Sequence, residues 1–144
     1  MKTQNFKNHA QYVPLYHGLT AGLIVTGLIA SIVKLIYAVI DVNGRVVAGL
    51  LMMLFVIAVL FFWFVRAFSL RAQDRAIRAE ENLRNFSLTG KLLDSRLRMG
   101  QIIALRFAPD DEFTALAARA VNENLSGADI KSAIKNWRPD FNRV

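Results

Sequence analysis

Two long apolar runs, joined by a short polar turn, occupy Gly18 to Val65 and constrain everything else in the chain. Only Lys34, Asp41 and Arg45 carry charge in that stretch. Apolar runs of about 10–14 residues fit a buried helix, whereas runs of about 18 or more fit a membrane span. The expected fold is an all-α membrane protein: a transmembrane helical hairpin with a small cytoplasmic bundle of three or four helices. Residues 1–17 form an interfacial lead, 18–65 the hairpin (spans about 18–40 and 46–65), and 66–144 a cytoplasmic helical tail.

The lead, MKTQNFKNHAQYVPLYH, is too long and too weakly charged for the n-region of a signal peptide. The apolar run behind it exceeds a signal h-region of about 7–15 residues. An uncleaved anchor is expected, with Tyr12 and Tyr16 in the interfacial aromatic belt. Lys34 lies six residues before Ile40, about 9 Å at ~1.5 Å per residue, so its ammonium can snorkel outward beside Tyr37. An ion path through the bundle would need acidic partners for Lys34, and Val46 to Val65 contains none.

Gly18, Gly22, Thr26 and Ala30 recur every four residues and form one smooth stripe. Small residues let helices approach closely where packing drives association. The stripe is expected to pack on the second span of the same chain, with another protein as the alternative. Asp41-Val42-Asn43-Gly44-Arg45 supplies turn chemistry centred on Asn-Gly. The twenty uncharged residues Val46 to Val65 then reach ~30 Å, enough to cross the hydrocarbon core. Trp63 stands among phenylalanines at the far end, as a second interfacial anchor.

Orientation follows from lysine and arginine near the span ends. Lys2 and Lys7 precede the first span, and Arg66, Arg71, Arg75 and Arg78 follow the second, against Arg45 alone in the turn. Both termini are therefore expected in the cytoplasm.

No glycine or proline interrupts Trp63 to Phe86, so the second span should continue outward as helix. Ala72, Ala76, Ala79, Leu83 and Phe86 follow alternating four- and three-residue steps, a coiled-coil spacing that could equally seat the later helices. Asp74 with Arg78 and Glu80 with Arg84 are spaced for i,i+4 pairs. Ser87 to Gly90 breaks this helix, and a second tail helix is expected over Leu92 to Phe107. Pro109 and its acidic followers open a third, with Phe113, Leu116, Ala117, Ala120 and Val121 inward and an end at Asn124-Leu125. Ser126 caps a fourth, with Asp129 in the capping-box position. Its inner face is Ile130, Ala133, Ile134 and Trp137, and Arg138-Pro139 stops it.

Composition narrows the chemistry. With no cysteine among 144 residues, disulfides, thiolate nucleophiles and cysteine-ligated metals are excluded. His9 and His17 share no helical face across Pro14, so no metal or haem role is expected of them. Glu80-Glu81 and Asp110-Asp111 read as an exposed helix face and a helix start, not as acid–base pairs. No phosphate-binding glycine loop or serine elbow is present. No enzyme activity, cofactor or metal is expected.

The net charge of +7 asks for an anionic neighbour, and the lipid bilayer is the first. Arg66 to Arg106 holds nine Lys/Arg against four Asp/Glu, whereas Phe107 to Val144 holds five against six. Lipid attraction fades within about 8 Å, so only Arg66 and Arg71 would feel headgroups. Arg75 and Arg78 would be solvated, paired, or held by an acidic partner. Aromatics that stack on single-stranded RNA are missing around them, so nucleic acid is not the expected partner.

KTQNFKNH with PLYH, NFSLTGK, GQIIALRFAPDDEFTALAARAVNENLS and IKSAIKNWRPDFNRV together resemble an uncharacterised family of small bacterial two-span membrane proteins. The resemblance covers essentially the whole chain and implies a bacterial inner-membrane protein with a cytoplasmic helical tail. It brings no catalytic residues.

The function expected is that of a non-enzymatic accessory or scaffold protein, binding other membrane proteins or itself. The alternative is a membrane-tethered electrostatic adaptor whose arginine-rich helix holds RNA, the ribosome or an acidic protein. A cofactor-bearing redox or transport subunit would reveal itself by colour or bound metal.

Overall fold

The computed structural model describes residues 4–6, 8, 12–38 and 41–140. Lys2, Lys7 and His9, and the expected span end at Ile40, lie outside the described residues. Among the described residues the regular structure is entirely helical: a π-helical segment Leu15–Thr20, then α1 (Ala21–Tyr37), α2 (Val42–Thr89), α3 (Met99–Leu105), α4 (Asp110–Asn122) and α5 (Gly127–Ala133). The chain divides into two units, Tyr12–Phe68 and a second that joins Ser69–Val144 to the N-terminal residues.

The first unit is a hairpin. Tyr16 meets Phe62 and Gly27 meets Phe55, so the two helices run antiparallel. The expected turn over Asp41 to Arg45 is shorter than its sequence suggests. Asp41 accepts from the backbone N–H of Asn43 at 3.1 Å and of Gly44 at 2.9 Å. A carboxylate taking those otherwise orphaned donors is an N-cap, so Asn43-Gly44 becomes the first turn of α2. Both apolar helices are long enough to cross a membrane: Leu15–Tyr37, 23 residues with an 18-residue window of mean hydropathy 2.1, and Val42–Thr89, 48 residues with an 18-residue window of mean hydropathy 2.8. Only 6% of each apolar window is buried within the fold. The core helix of a soluble domain would instead be largely enclosed.

The second unit is a helical cap built on the end of α2. α3 packs against α4 and α5, around a core of Leu97, Ile102, Leu105, Phe107, Phe113, Leu116, Ile130 and Ile134. α2 ends where Gly90 takes φ +71°, and α4 ends before Asn124 at φ 50°. Both are residue types that accept the left-handed conformation. Ser126 Oγ accepts from Asp129 N while Asp129 accepts from Ser126 N, the reciprocal cap that starts α5.

Two expected helices are shorter than their patterns. The helix expected over Leu92 to Phe107 is confined to Met99–Leu105. Asn82 accepts from Leu93 N, Asn85 donates to Lys91 O, and Asp94 accepts from Arg96 N. These bonds satisfy the backbone of 91–96 without a helix. Gln101 Oε1 then accepts from Arg98 N at 2.8 Å and starts α3 there. The fourth helix ends at Ala133, with Ile134 extended, because Glu112 takes the N–H groups of Lys135 and Asn136. Trp137 still turns inward, 5.0 Å from the Phe107 ring.

Candidate functional site

Three regions carry the residues to which the sequence points. The first is the hairpin. Gly18, Gly22, Thr26 and Ala30 do not pack on α2; all four are exposed. A Cβ on Gly22 would meet nothing within 4 Å, and one on Gly18 only the Tyr12 hydroxyl at 3.4 Å. The glycine that admits α2 is Gly27, one position off the stripe, where a Cβ would fall 2.1 Å from the Phe55 ring. Ser31 on α1 and Ala48 on α2 are buried in the same unit. The stripe's intrachain packing role therefore passes to Gly27, and its own face is open.

At the charged end of the hairpin, Tyr16 stacks on Phe62 with centroids 4.2 Å apart and planes 10° from parallel. Its hydroxyl donates to the Phe62 carbonyl. The Arg66 guanidinium lies 5.9 Å above the same ring, the geometry of a cation–π contact. Tyr12 stacks on His17 at 5.0 Å, and His17 Nδ1 lies against the backbone of Val13. Tyr12, Lys34, Tyr37 and Trp63 are exposed, while Tyr16 is half-buried. A shallow apolar pocket of about 270 Å³ opens beside Tyr16, Thr20, Ile24, Ala58 and Phe62.

The second region is the arginine row. Arg66 is half-buried and engaged by Tyr16, whereas Arg71, Arg75 and Arg78 are exposed. At 100° per residue, Arg71, Arg75 and Arg78 share one side of α2. Asp74 and Arg78 form no ion pair, and Glu80 does not take Arg84. Arg84 instead donates to Glu81 at 3.1 Å, to Asp110 at 2.7 Å and to the Ala108 carbonyl at 2.8 Å. It also lies 4.3 Å over the Phe113 ring. Its partners on α4 and the α3–α4 connection are far away in sequence, so helical spacing does not reveal them.

The third region is the face on which the cap sits. The alanine-rich seam Ala72, Ala76, Ala79, Leu83 and Phe86 is exposed, with only Ala76 bordering the cap. The cap covers Ile77, Glu81 and Asn85 instead. Beside Ile77 and Glu81 lies a polar cleft of about 450 Å³ lined by Gln73, Glu80, Glu81, Arg106, Arg138 and Asp140. Arg106 pairs with Asp140 at 3.1 Å, and Asp140 exchanges backbone bonds with the Gln4 side chain. Burial pushes the Glu81 carboxyl above the usual carboxylate range, and Arg84 opposes that shift. Arg106 and Asp140 are spent on each other and Glu81 on Arg84, which makes the cleft a clamp across three segments of the cap, with Glu80 exposed at its rim. Sequence reasoning places Glu80 and Glu81 on an exposed helix face, which holds for Glu80 but not for buried Glu81, and it misses Arg106 and Asp140. The available signal was Arg106 itself, a charge set between Leu105 and Phe107 inside an apolar run.

No His, Asp or Glu cluster suited to a metal ion occurs among the described residues. The full chain, residues 1–144, matches a family of unknown function (DUF6526). The chain belongs to this family. No curated protein and no solved structure matches it.

Proposed function

We propose that this protein is a non-enzymatic accessory or scaffold component of the bacterial inner membrane, anchored by its hairpin, with both termini in the cytoplasm. The observation that carries the reading is the exposure of two apolar helices whose windows are only 6% buried. Exposed apolar surface on that scale needs lipid or protein to cover it. The arginines after the second span, set against Arg45 alone in the turn, support a cytoplasmic cap. The cap is clamped by internal ion pairs, and its outer faces and the open hairpin stripe are the surfaces left for other membrane proteins or further copies. Native mass spectrometry of the full chain, extracted gently from its own membranes, tests this. A stoichiometric heteromer or homo-oligomer supports it; a monomer carrying only lipid contradicts it.

A second reading rests on Arg71, Arg75 and Arg78, three exposed guanidiniums on one side of α2. They would suit an acidic protein or ribosomal RNA. Association that collapses between low and physiological salt would favour this adaptor over apolar scaffolding.

A further inference from the structure

α2 continues beyond the apolar window as a helix whose two sides have different fates. One side, Ile77, Glu81 and Asn85, is buried by the cap. The other carries Ala72, Ala76, Ala79, Leu83 and Phe86 in alternating four- and three-residue steps. At 100° per residue, Ala79 and Leu83 lie about 160° around the axis from Ile77 and Glu81. Leu83 is 66% exposed and Phe86 53%. The cap therefore leaves all five seam residues exposed, with Ala76 at the rim of the polar cleft.

The residues flanking the seam say what covers it. Arg75 immediately precedes Ala76, and Glu80 immediately follows Ala79. These are the g and e positions of the repeat, five residues apart. In a parallel two-stranded coil, a g residue faces the e residue of the next heptad on the partner helix. Arg75 of each copy would then face Glu80 of the other, twice across the two-fold axis. Neither residue has an ion-pair partner within its own chain among the described residues, and both are exposed. Alanines at three of the five seam positions allow close approach, while Leu83 and Phe86 supply the larger apolar contact.

We propose that this seam is the contact between two copies of the chain, lying parallel from Ala72 to Phe86. The inference rests on the membrane-embedded reading above, because insertion by the same hairpin gives both copies the same direction. It deepens that reading by naming the partner as a second copy and the surface as α2.

The native chain has no cysteine, so single substitutions report contact without background. Full-length Ala76→Cys and Ala79→Cys, oxidised mildly in native membranes, should give disulfide-linked dimers. Asp74→Cys and Arg78→Cys, on other sides of the helix, should give little. Adding Phe86→Glu to Ala79→Cys should abolish the dimer. Arg75→Glu should weaken it, and Arg75→Glu with Glu80→Arg should restore it. Equal cross-linking at all four positions, or none, in protein that stays in the membrane fraction overturns the seam and leaves the scaffold reading standing. Cross-linking of the seam to a different protein does the same. Release of the chain from membranes by alkaline carbonate overturns both.

Discussion

The ring of Phe55 occupies the space that a Cβ on Gly27 would fill, with ring carbons 2.1 Å from that position. This one approach sets how closely the hairpin helices meet, because any larger residue must displace the ring or part the helices. Gly27→Ala should destabilise the hairpin by about 1–3 kcal/mol, the range for overpacking a fitted contact. Phe55→Leu in the same chain should recover part of the loss. Gly22→Ala, with nothing within 4 Å, should be neutral. Thermal unfolding of the three variants in one detergent checks the contrast.

Arg84 pairs at 3.1 Å with Glu81, which is buried in the cap. Removing one member of a buried pair leaves the other uncompensated, typically a loss of about 3–5 kcal/mol. Arg84 is also shared with exposed Asp110, so Arg84→Met should fall near the lower end, about 3 kcal/mol. Glu81→Gln should rescue much of it.

The pH dependence of that pair has a definite sign. Burial raises the Glu81 carboxyl above its unfolded value of 4.5. As pH rises past that value the unfolded chain releases its proton first, so this group lowers stability until the folded carboxyl also ionises. Glu81→Gln should remove that decline, and Arg84→Met should steepen it. Urea titrations across the mildly acidic range measure both slopes.

Glu112 contributes with the opposite sign. Hydrogen bonds from the Lys135 and Asn136 backbone hold its carboxyl below the ordinary range. That stabilisation is present above the unfolded value of 4.5 and is lost as pH falls through the lower folded value. Glu112→Gln keeps only one acceptor oxygen for two backbone donors. Faster amide exchange at Lys135 and Asn136, with exchange in α3 unchanged, is the expected result.

Tyr16 closes the end of the hairpin through its ring and its hydroxyl. Tyr16→Phe keeps the stack on Phe62 and loses the bond to the Phe62 carbonyl. A loss of about 0.5–1.5 kcal/mol is expected, whereas Tyr16→Ala should cost more and release Arg66 as well. Comparing the two by thermal unfolding separates the bond from the stack.

What could be read from the sequence was whatever is decided locally. The hairpin, the helix end at Gly90, the acidic start of α4 and the Ser126–Asp129 cap each depend on neighbours within a few residues. What could not be read depends on side chains reaching distant backbone. Asn82 and Asn85 hold 91–93 out of a helix, and Glu112 unwinds the chain after Ala133, although apolar spacing there continues. The packing face of α1 was misplaced for a different reason. A four-residue rhythm of small residues marks a smooth stripe, but only the partner's shape shows that Gly27, outside that rhythm, is the glycine that matters. On α2 the seam of alanines drew attention from Ile77, Glu81 and Asn85, where one apolar residue and two polar ones carry the cap. Polar residues at those positions read as surface until Arg84 is brought to Glu81 and the Lys91 carbonyl to Asn85.

The most direct test of the membrane account is labelling of single cysteines in the cysteine-free chain with a membrane-impermeant thiol reagent. Val42→Cys probes the start of α2 and Asn122→Cys the end of α4. The account predicts that Val42→Cys labels from the outer face of intact cells and Asn122→Cys only after the membrane is opened. Equal labelling of both in intact cells, or protection of both until lysis, would contradict a hairpin that crosses the membrane with its cap inside.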